Sequence, residues 1–175
     1  SILQASLGYR APSFTNDAMF REHCGIEVDA LEYFIDTKNN DIVDGGICIF
    51  AAGNESQPLS GYPAGYSKMI SVTSLASDHR PAYYTNYGQG CNIASIGGEY
   101  YTGGANRYEA GILSTLPYNV SESGYGYMQG TSMACPHARG IAALGLSYMK
   151  KLGKTSTVEE FKSMFLTAIN EMESY

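Results

Sequence analysis

Six apolar side chains stand in a row from Ile47 to Ala52, and Gly53-Asn54 ends the run. A strand with one wet face alternates apolar and polar residues, and this one does not. Both of its faces must therefore be covered, as in an inner strand of a parallel sheet with helices on either side. The rest of the chain supplies what that strand needs. "SILQASLG" (1–8) reads as a short apolar strand ending in a glycine turn, and "KMISVTSLA" (68–76) and "CNIASIG" (91–97) read as two more strands. After a polar stretch, Val28, Leu31, Phe34 and Ile35 recur at helical spacing, with Glu27, Asp29, Glu32 and Asp36 between them. "NNDIVDGG" (39–46) closes that helix with turn chemistry. A strong helical pattern runs from Ser132 to about Leu152. A last helix opens at the capping box Thr157–Glu160 and carries Val158, Phe161, Met164, Phe165, Ala168 and Ile169 on one face. This order predicts an α/β fold of three layers, a mainly parallel sheet with helices on both faces. Residues 97–126 are rich in Gly and Tyr without a period and read as a surface excursion with room for a hairpin.

The chain has 175 residues, enough for one domain with a real core. Its net charge of −6 argues against nucleic acid or an anionic membrane as partner, because both need a basic surface. No apolar run approaches the length of a membrane span, and the chain does not open on a basic-then-apolar leader. Cys24, Cys48, Cys91 and Cys135 have no C-x-x-C spacing, so a zinc site is not predicted; Cys48 and Cys135 read as buried free thiols. No cofactor is called, and no acidic cluster has calcium-ligand spacing, which leaves calcium open.

Two short segments carry the chemistry. In "GTSMACPH" (130–137), Gly130 lets the backbone bend, and Ser132 stands where a helix begins. The unpaired amides and positive dipole end of a helix start suit a hydroxyl nucleophile and an oxyanion. Serine is equally a good N-cap, so the turn by itself leaves both readings open. Pro136 is tolerable near the first turn. In "AAGNE" (51–55), Asn54 follows a buried strand at its carboxyl end, where ligand sites of open α/β sheets lie. Its amide can donate into such a site, or it can be an ordinary loop residue. Asn54 also opens an N-x-S pattern with Ser56, set aside because the preceding run reads as buried.

The two segments together resemble the subtilisin-like serine proteases, the subtilase family. "ASLG" (5–8) is similar to the family's substrate-pairing strand, "GYPAGY" (61–66) to its specificity-pocket loop, and "GILSTLP" (111–117) to the segment leading to the nucleophile. The resemblance implies Ser132 as nucleophile, with Asn54 and the Ser132 N–H as oxyanion donors. It implies a peptide or protein substrate paired along Ser6, Leu7 and Gly8. Ala51, Ala52 and Gly53 would form a wall of the first specificity pocket and Gly61 its floor. Large apolar or aromatic side chains would be favoured there, with Glu55 at the rim able to admit lysine. A cis Tyr62-Pro63 bond and a secreted or cell-envelope location follow from the same resemblance.

The family's other two catalytic motifs, D-[ST]-G and H-G-T-H, are not found in the chain. His137 lies about 7 Å along the helix axis from Ser132 and about 140° round it, out of reach of the hydroxyl. His23 and His79 read as surface residues in polar and turn segments. Within that family, losing the serine or the histidine costs about 10⁶ in turnover. Residues 1–175 therefore read as the nucleophile and oxyanion half of a catalytic domain that lacks its N-terminal strands, inactive by itself. Its open sheet edge should pair with the missing half of the domain, a second copy, or a segment of its own such as the Gly/Tyr excursion. A pseudoprotease that only binds peptide is the alternative. An esterase or acyltransferase is disfavoured, since Ser132 lacks the G-x-S-x-G elbow.

Overall fold

The computed structural model describes residues 1–38, 40–102 and 105–168. Ile169, assigned above to the last helical face, lies outside them. Four strands, β1 (Ile2–Ala5), β2 (Ile47–Ala51), β3 (Ile70–Leu75) and β4 (Ile93–Ile96), form one parallel sheet in the order β1-β2-β3-β4. Every residue of β2 is buried, as its unbroken apolar run demands. Ile47, Ile49 and Ala51 face one side of the sheet; Cys48 and Phe50 face the other.

Helices cover both faces, as predicted. On one side lie α3 (Thr131–Lys151) and α4 (Val158–Thr167). Ala134, Ala138 and Ala142 recur every fourth residue on α3, so its backbone can approach the sheet closely, and Phe161 of α4 fills the space beyond. The capping box at α4 is complete: Glu160 N–H donates to Thr157 Oγ1 at 3.0 Å, and Thr157 N–H donates to Glu160 Oε2 at 2.8 Å. Ala168 is the C-cap rather than part of the helix.

The other face is covered by α1 (Asp17–His23) and α2 (Gly25–Asp36). The first was not predicted. Its only buried residue is Phe20, so it has no apolar stripe to read; Asn16 caps it by accepting from Met19 N–H. His23, read as a surface residue of a polar segment, is exposed in the last turn of α1, its Nδ1 2.9 Å from the Met19 carbonyl.

These two helices hold the 60–66 loop in place. Phe20 packs on the Tyr62 ring at 4.9 Å, and the Tyr62 hydroxyl donates to Asp17. The Tyr66 hydroxyl donates to Glu32 at 2.7 Å, and Lys68 approaches the same carboxylate at 3.1 Å. Tyr62-Pro63 is cis, as the resemblance implied, and so is Ala11-Pro12, which nothing in the sequence signalled.

Among the described residues β1 is an edge strand, paired with β2 alone. Among the described residues the Gly/Tyr-rich excursion adds no strand to that edge. It forms antiparallel ladders of its own, β5 (Tyr101–Thr102) with β6 (Ala105–Asn106), and β7 (Ile112–Thr115) with β8 (Tyr125–Met128). On α3, Ile141, Leu144 and Tyr148, with Leu152 at its C-cap, are all more than half exposed and recur at helical spacing.

The Glu32 cluster yields a pH test. The Tyr66 hydroxyl, with Lys68 and Arg21, pulls the Glu32 carboxyl down to about 2 from an ordinary value of 4.5. A depressed carboxylate stabilises the fold above its unfolded value and loses that contribution as pH falls from 4.5 towards 2. Glu32→Gln should therefore lower the urea midpoint at pH 7, and the gap from wild type should close by about pH 2. A gap that persists or widens in acid would contradict this assignment.

Candidate active site

The carboxyl ends of β1 and β2 and the first turn of α3 enclose a cleft of about 460 Å³. All nine predicted site residues line it: Ser6, Leu7, Gly8, Ala51, Ala52, Gly53, Asn54, Gly61 and Ser132. The sequence reading missed Tyr9, Arg10 and Thr131, which line it too. Glu55, assigned to the rim, is among the lining residues.

Ser132 is not the cap of its helix. The N-cap is Gly130, and Ser132 lies two residues inside. Its Oγ makes one long contact, 3.4 Å to the Ser6 carbonyl, and its backbone N–H has no acceptor among the described residues. Asn54 is fixed on one side only. Its Oδ1 accepts from the Thr131 N–H at 2.9 Å and from the Thr131 hydroxyl at 3.0 Å. That assigns the amide orientation and leaves Nδ2 as a donor with no partner among the described residues.

A Cβ on Gly130 would stand 3.6 Å from the Ser132 nitrogen and 3.7 Å from both Nδ2 and Oδ1 of Asn54. Both open donors thus lie close to Gly130, a glycine whose φ of 146° other residues rarely adopt. Convergent N–H donors beside a hydroxyl at a helix start are what an oxyanion hole requires. Thr131, itself fully buried, accepts from Gly53 N–H at 3.2 Å, so one hydroxyl ties the end of β2 to the start of α3. A neutral threonine beside a serine carried no signal in the sequence.

Pro136 has no N–H to offer the Ser132 carbonyl one turn back. The Ser6 hydroxyl takes that place, donating at 2.8 Å, and itself accepts from Gln4 Nε2 at 2.8 Å. The segment that follows β1 is thereby attached to the serine's own carbonyl.

Gly61 lines the cleft, but its missing side chain has a different reason from the one expected. A Cβ there would point at backbone, 2.6 Å from the Tyr9 carbonyl and 3.2 Å from that of Ala52. Glycine is needed where three segments meet, with Gly61 N–H donating to Ala52 at 2.7 Å and Tyr9 N–H to Tyr62 at 2.6 Å. Pocket depth does not follow from it.

None of the three histidines bonds to Ser132. His137 Nδ1 lies 2.8 Å from the Ile96 carbonyl, and His79 is exposed in its turn. All four cysteines are free. Cys48 and Cys135 are buried, and burial raises their thiols to about 12 and about 11, so both stay protonated at neutral pH. Among the described residues no three His, Cys, Asp or Glu side chains gather as a metal site, and no helix is long and apolar enough to cross a membrane.

A parallel α/β sheet with a helix-start serine between a side-chain and a main-chain donor has the architecture of the subtilisin-like proteases. The profile of the Subtilase family matches residues 2–174, and the chain belongs to that family. Among curated proteins it is similar to an extracellular basic protease of Dichelobacter nodosus, 32% identical over 126 residues, 70% of this chain and 19% of that protein. It is also similar to subtilisin DY of Bacillus licheniformis, 32% identical over 135 residues, 75% of this chain and 42% of the relative. The chain thus spans less than half the length of these two relatives. Among solved structures, the PatG macrocyclase in complex with peptide superposes with a TM-score of 0.71 over 98% of this chain and 44% of its own, at 19% identity, a likeness of fold alone.

Thr131→Val keeps the shape and removes the hydroxyl. It should cost about 1–3 kcal/mol, because Gly53 N–H is left without an acceptor. Ser6→Ala, at an exposed position where water can replace the hydroxyl, should cost about 1 kcal/mol or less. Urea unfolding of both variants would check the ranking, and the reverse order would refute the account of the Thr131 junction.

Proposed function

We propose that this chain is the nucleophile and oxyanion half of a subtilisin-type serine endopeptidase. The observation that carries the reading is a pair of donors without partners among the described residues, Asn54 Nδ2 and the Ser132 N–H, which both lie close to Gly130 at the start of the Ser132 helix. Ser132 Oγ attacks a peptide carbonyl as a histidine takes its proton, and the two donors hold the oxyanion. The amine leaves with that proton, and water releases the acyl group from Ser132. The peptide lies along Ser6-Leu7-Gly8 by strand addition, with Ala51, Ala52 and Gly53 as a wall of the first specificity pocket.

The histidine and its aspartate come from outside this chain, because no imidazole among the described residues bonds to Ser132. The edge of β1 and the apolar stripe of α3 support association there with the remainder of a catalytic domain or with a second copy. Secretion is the reading supported by the name of the Dichelobacter relative. The missing base also favours a second reading, a peptide-binding pseudoprotease that keeps the groove without catalysis.

Residues 1–175 by themselves should show negligible turnover of a chromogenic peptide, equal to that of Ser132→Ala, since an unassisted serine hydroxyl is a poor nucleophile at neutral pH. Turnover that depends on Ser132 in this chain alone would overturn the claim that the base lies elsewhere. The full-length protein should cleave, and peptide binding without cleavage would select the pseudoprotease.

Specificity gives a separate test. The apolar wall at Ala51 and Ala52 favours large apolar or aromatic side chains just before the cleaved bond, and the Glu55 carboxylate admits lysine. A peptide library profiled with the full-length protein should show those residues enriched; strict selection of Asp, Glu or Gly would contradict the pocket assignment.

A further inference from the structure

Asn86 lies on the loop between β3 and β4, outside the cleft, and is 0% exposed. A primary amide offers two N–H donors and two acceptor lone pairs. All four are used, and all go to one short segment. Nδ2 donates to the Ala52 carbonyl at 2.9 Å and to Glu55 Oε2 at 2.8 Å. Oδ1 accepts from Glu55 N–H at 3.1 Å and from Gln57 N–H at 3.0 Å. The Asn86 backbone N–H adds a fifth bond, to Gly53 O at 3.1 Å. Residues 52, 53, 55 and 57 are thus hung on one buried side chain and its own amide, and Asn54 is in their midst.

We infer that Asn86 is a positioning residue for the oxyanion donor: it sets the backbone from which Asn54 projects, while Thr131 sets the rotation of the Asn54 amide. This rests on the reading of Asn54 as oxyanion donor. Donor placement matters because a shift of about 1 Å at a reacting centre can cost about 10² in rate. Asn86 touches no reacting atom, so its effect passes wholly through the 52–57 loop.

Asn86→Asp preserves size and the two acceptor contacts but turns the donor edge into an acceptor edge. That edge then faces the Ala52 carbonyl and the Glu55 carboxylate. Glu55→Gln returns a donor to one of these contacts, so the double variant should recover part of what N86D loses. In E55Q alone, Asn86 Nδ2 still has an amide oxygen to donate to.

The first measurement uses this chain by itself. The ¹⁵N–¹H resonances of the Asn54 side-chain amide should move in N86D, stay near wild type in E55Q, and return part of the way in the double variant. If N86D does not fold, Asn86→Ser, which keeps one donor and one acceptor, decides on the same criterion. The second uses the full-length protein: N86D should lower kcat by about 10–100-fold with KM within about twofold, and the double variant should regain part of that loss. Asn54 resonances that stay in place while the melting temperature falls would make Asn86 a residue of general stability and overturn the inference. So would a rise in KM at unchanged kcat. A full-length protein without any turnover would overturn the peptidase reading only, because the Asn54 resonances still decide the role of Asn86.

Discussion

The hydrogen bonds from Thr131 to Asn54 Oδ1 join the carboxyl end of β2 to the amino end of α3. They are short-range contacts between residues far apart in the chain, and much else in the site depends on them. With Oδ1 occupied, the Asn54 amide has one orientation and Nδ2 faces outward as a donor. With the Thr131 N–H occupied, the first amide of α3 is satisfied, and the next one, at Ser132, is left open. One junction therefore selects which N–H groups are spent on the fold and which remain for a ligand.

Around that junction the sheet and helix can meet because the facing side chains are small. Alanines of α3 lie on the apolar face of β2, so strand end and helix start come within hydrogen-bond range. On the opposite face the reverse holds. Phe14, Phe20, Tyr62 and Tyr66 form a bulky aromatic layer that fixes the 60–66 loop against α1 and α2. The first arrangement brings Thr131 and Ser132 to the cleft, and the second holds the loop that supplies Gly61 to it.

Pro136 shows how a local defect is absorbed. It cancels one rung of the helix ladder, and the orphaned acceptor is the carbonyl of Ser132 itself. Ser6 supplies the missing donor from another segment. The serine is thus held through its backbone, while its hydroxyl makes a single long contact among the described residues. Three parts of the site, the 6–8 segment, the 52–57 loop and the start of α3, come from widely separated stretches of chain, and none forms a usable surface alone.

Much of this was legible in the residues. The unbroken apolar run at 47–52 dictated a doubly covered strand, because no other environment accommodates it. The capping box at Thr157 and the alanine spacing of α3 marked their helices through local chemistry. "AAGNE" and "GTSMACPH" placed Asn54 and Ser132 in one site by resemblance. Other features had no local signature. α1 buries only Phe20, so it has no period to detect. Gly61 is glycine because the Tyr9 and Ala52 carbonyls crowd it, a reason that exists only once three segments have met. Thr131, Ser6 and Asn86 matter through partners 77, 126 and about 30 residues away. The sequence determined which segments become strands and helices, since hydrophobic burial and capping act over a few residues. Only the tertiary structure decided which polar groups are used up in holding the site and which are left open to act, because hydrogen-bond satisfaction is settled between segments that the chain keeps far apart.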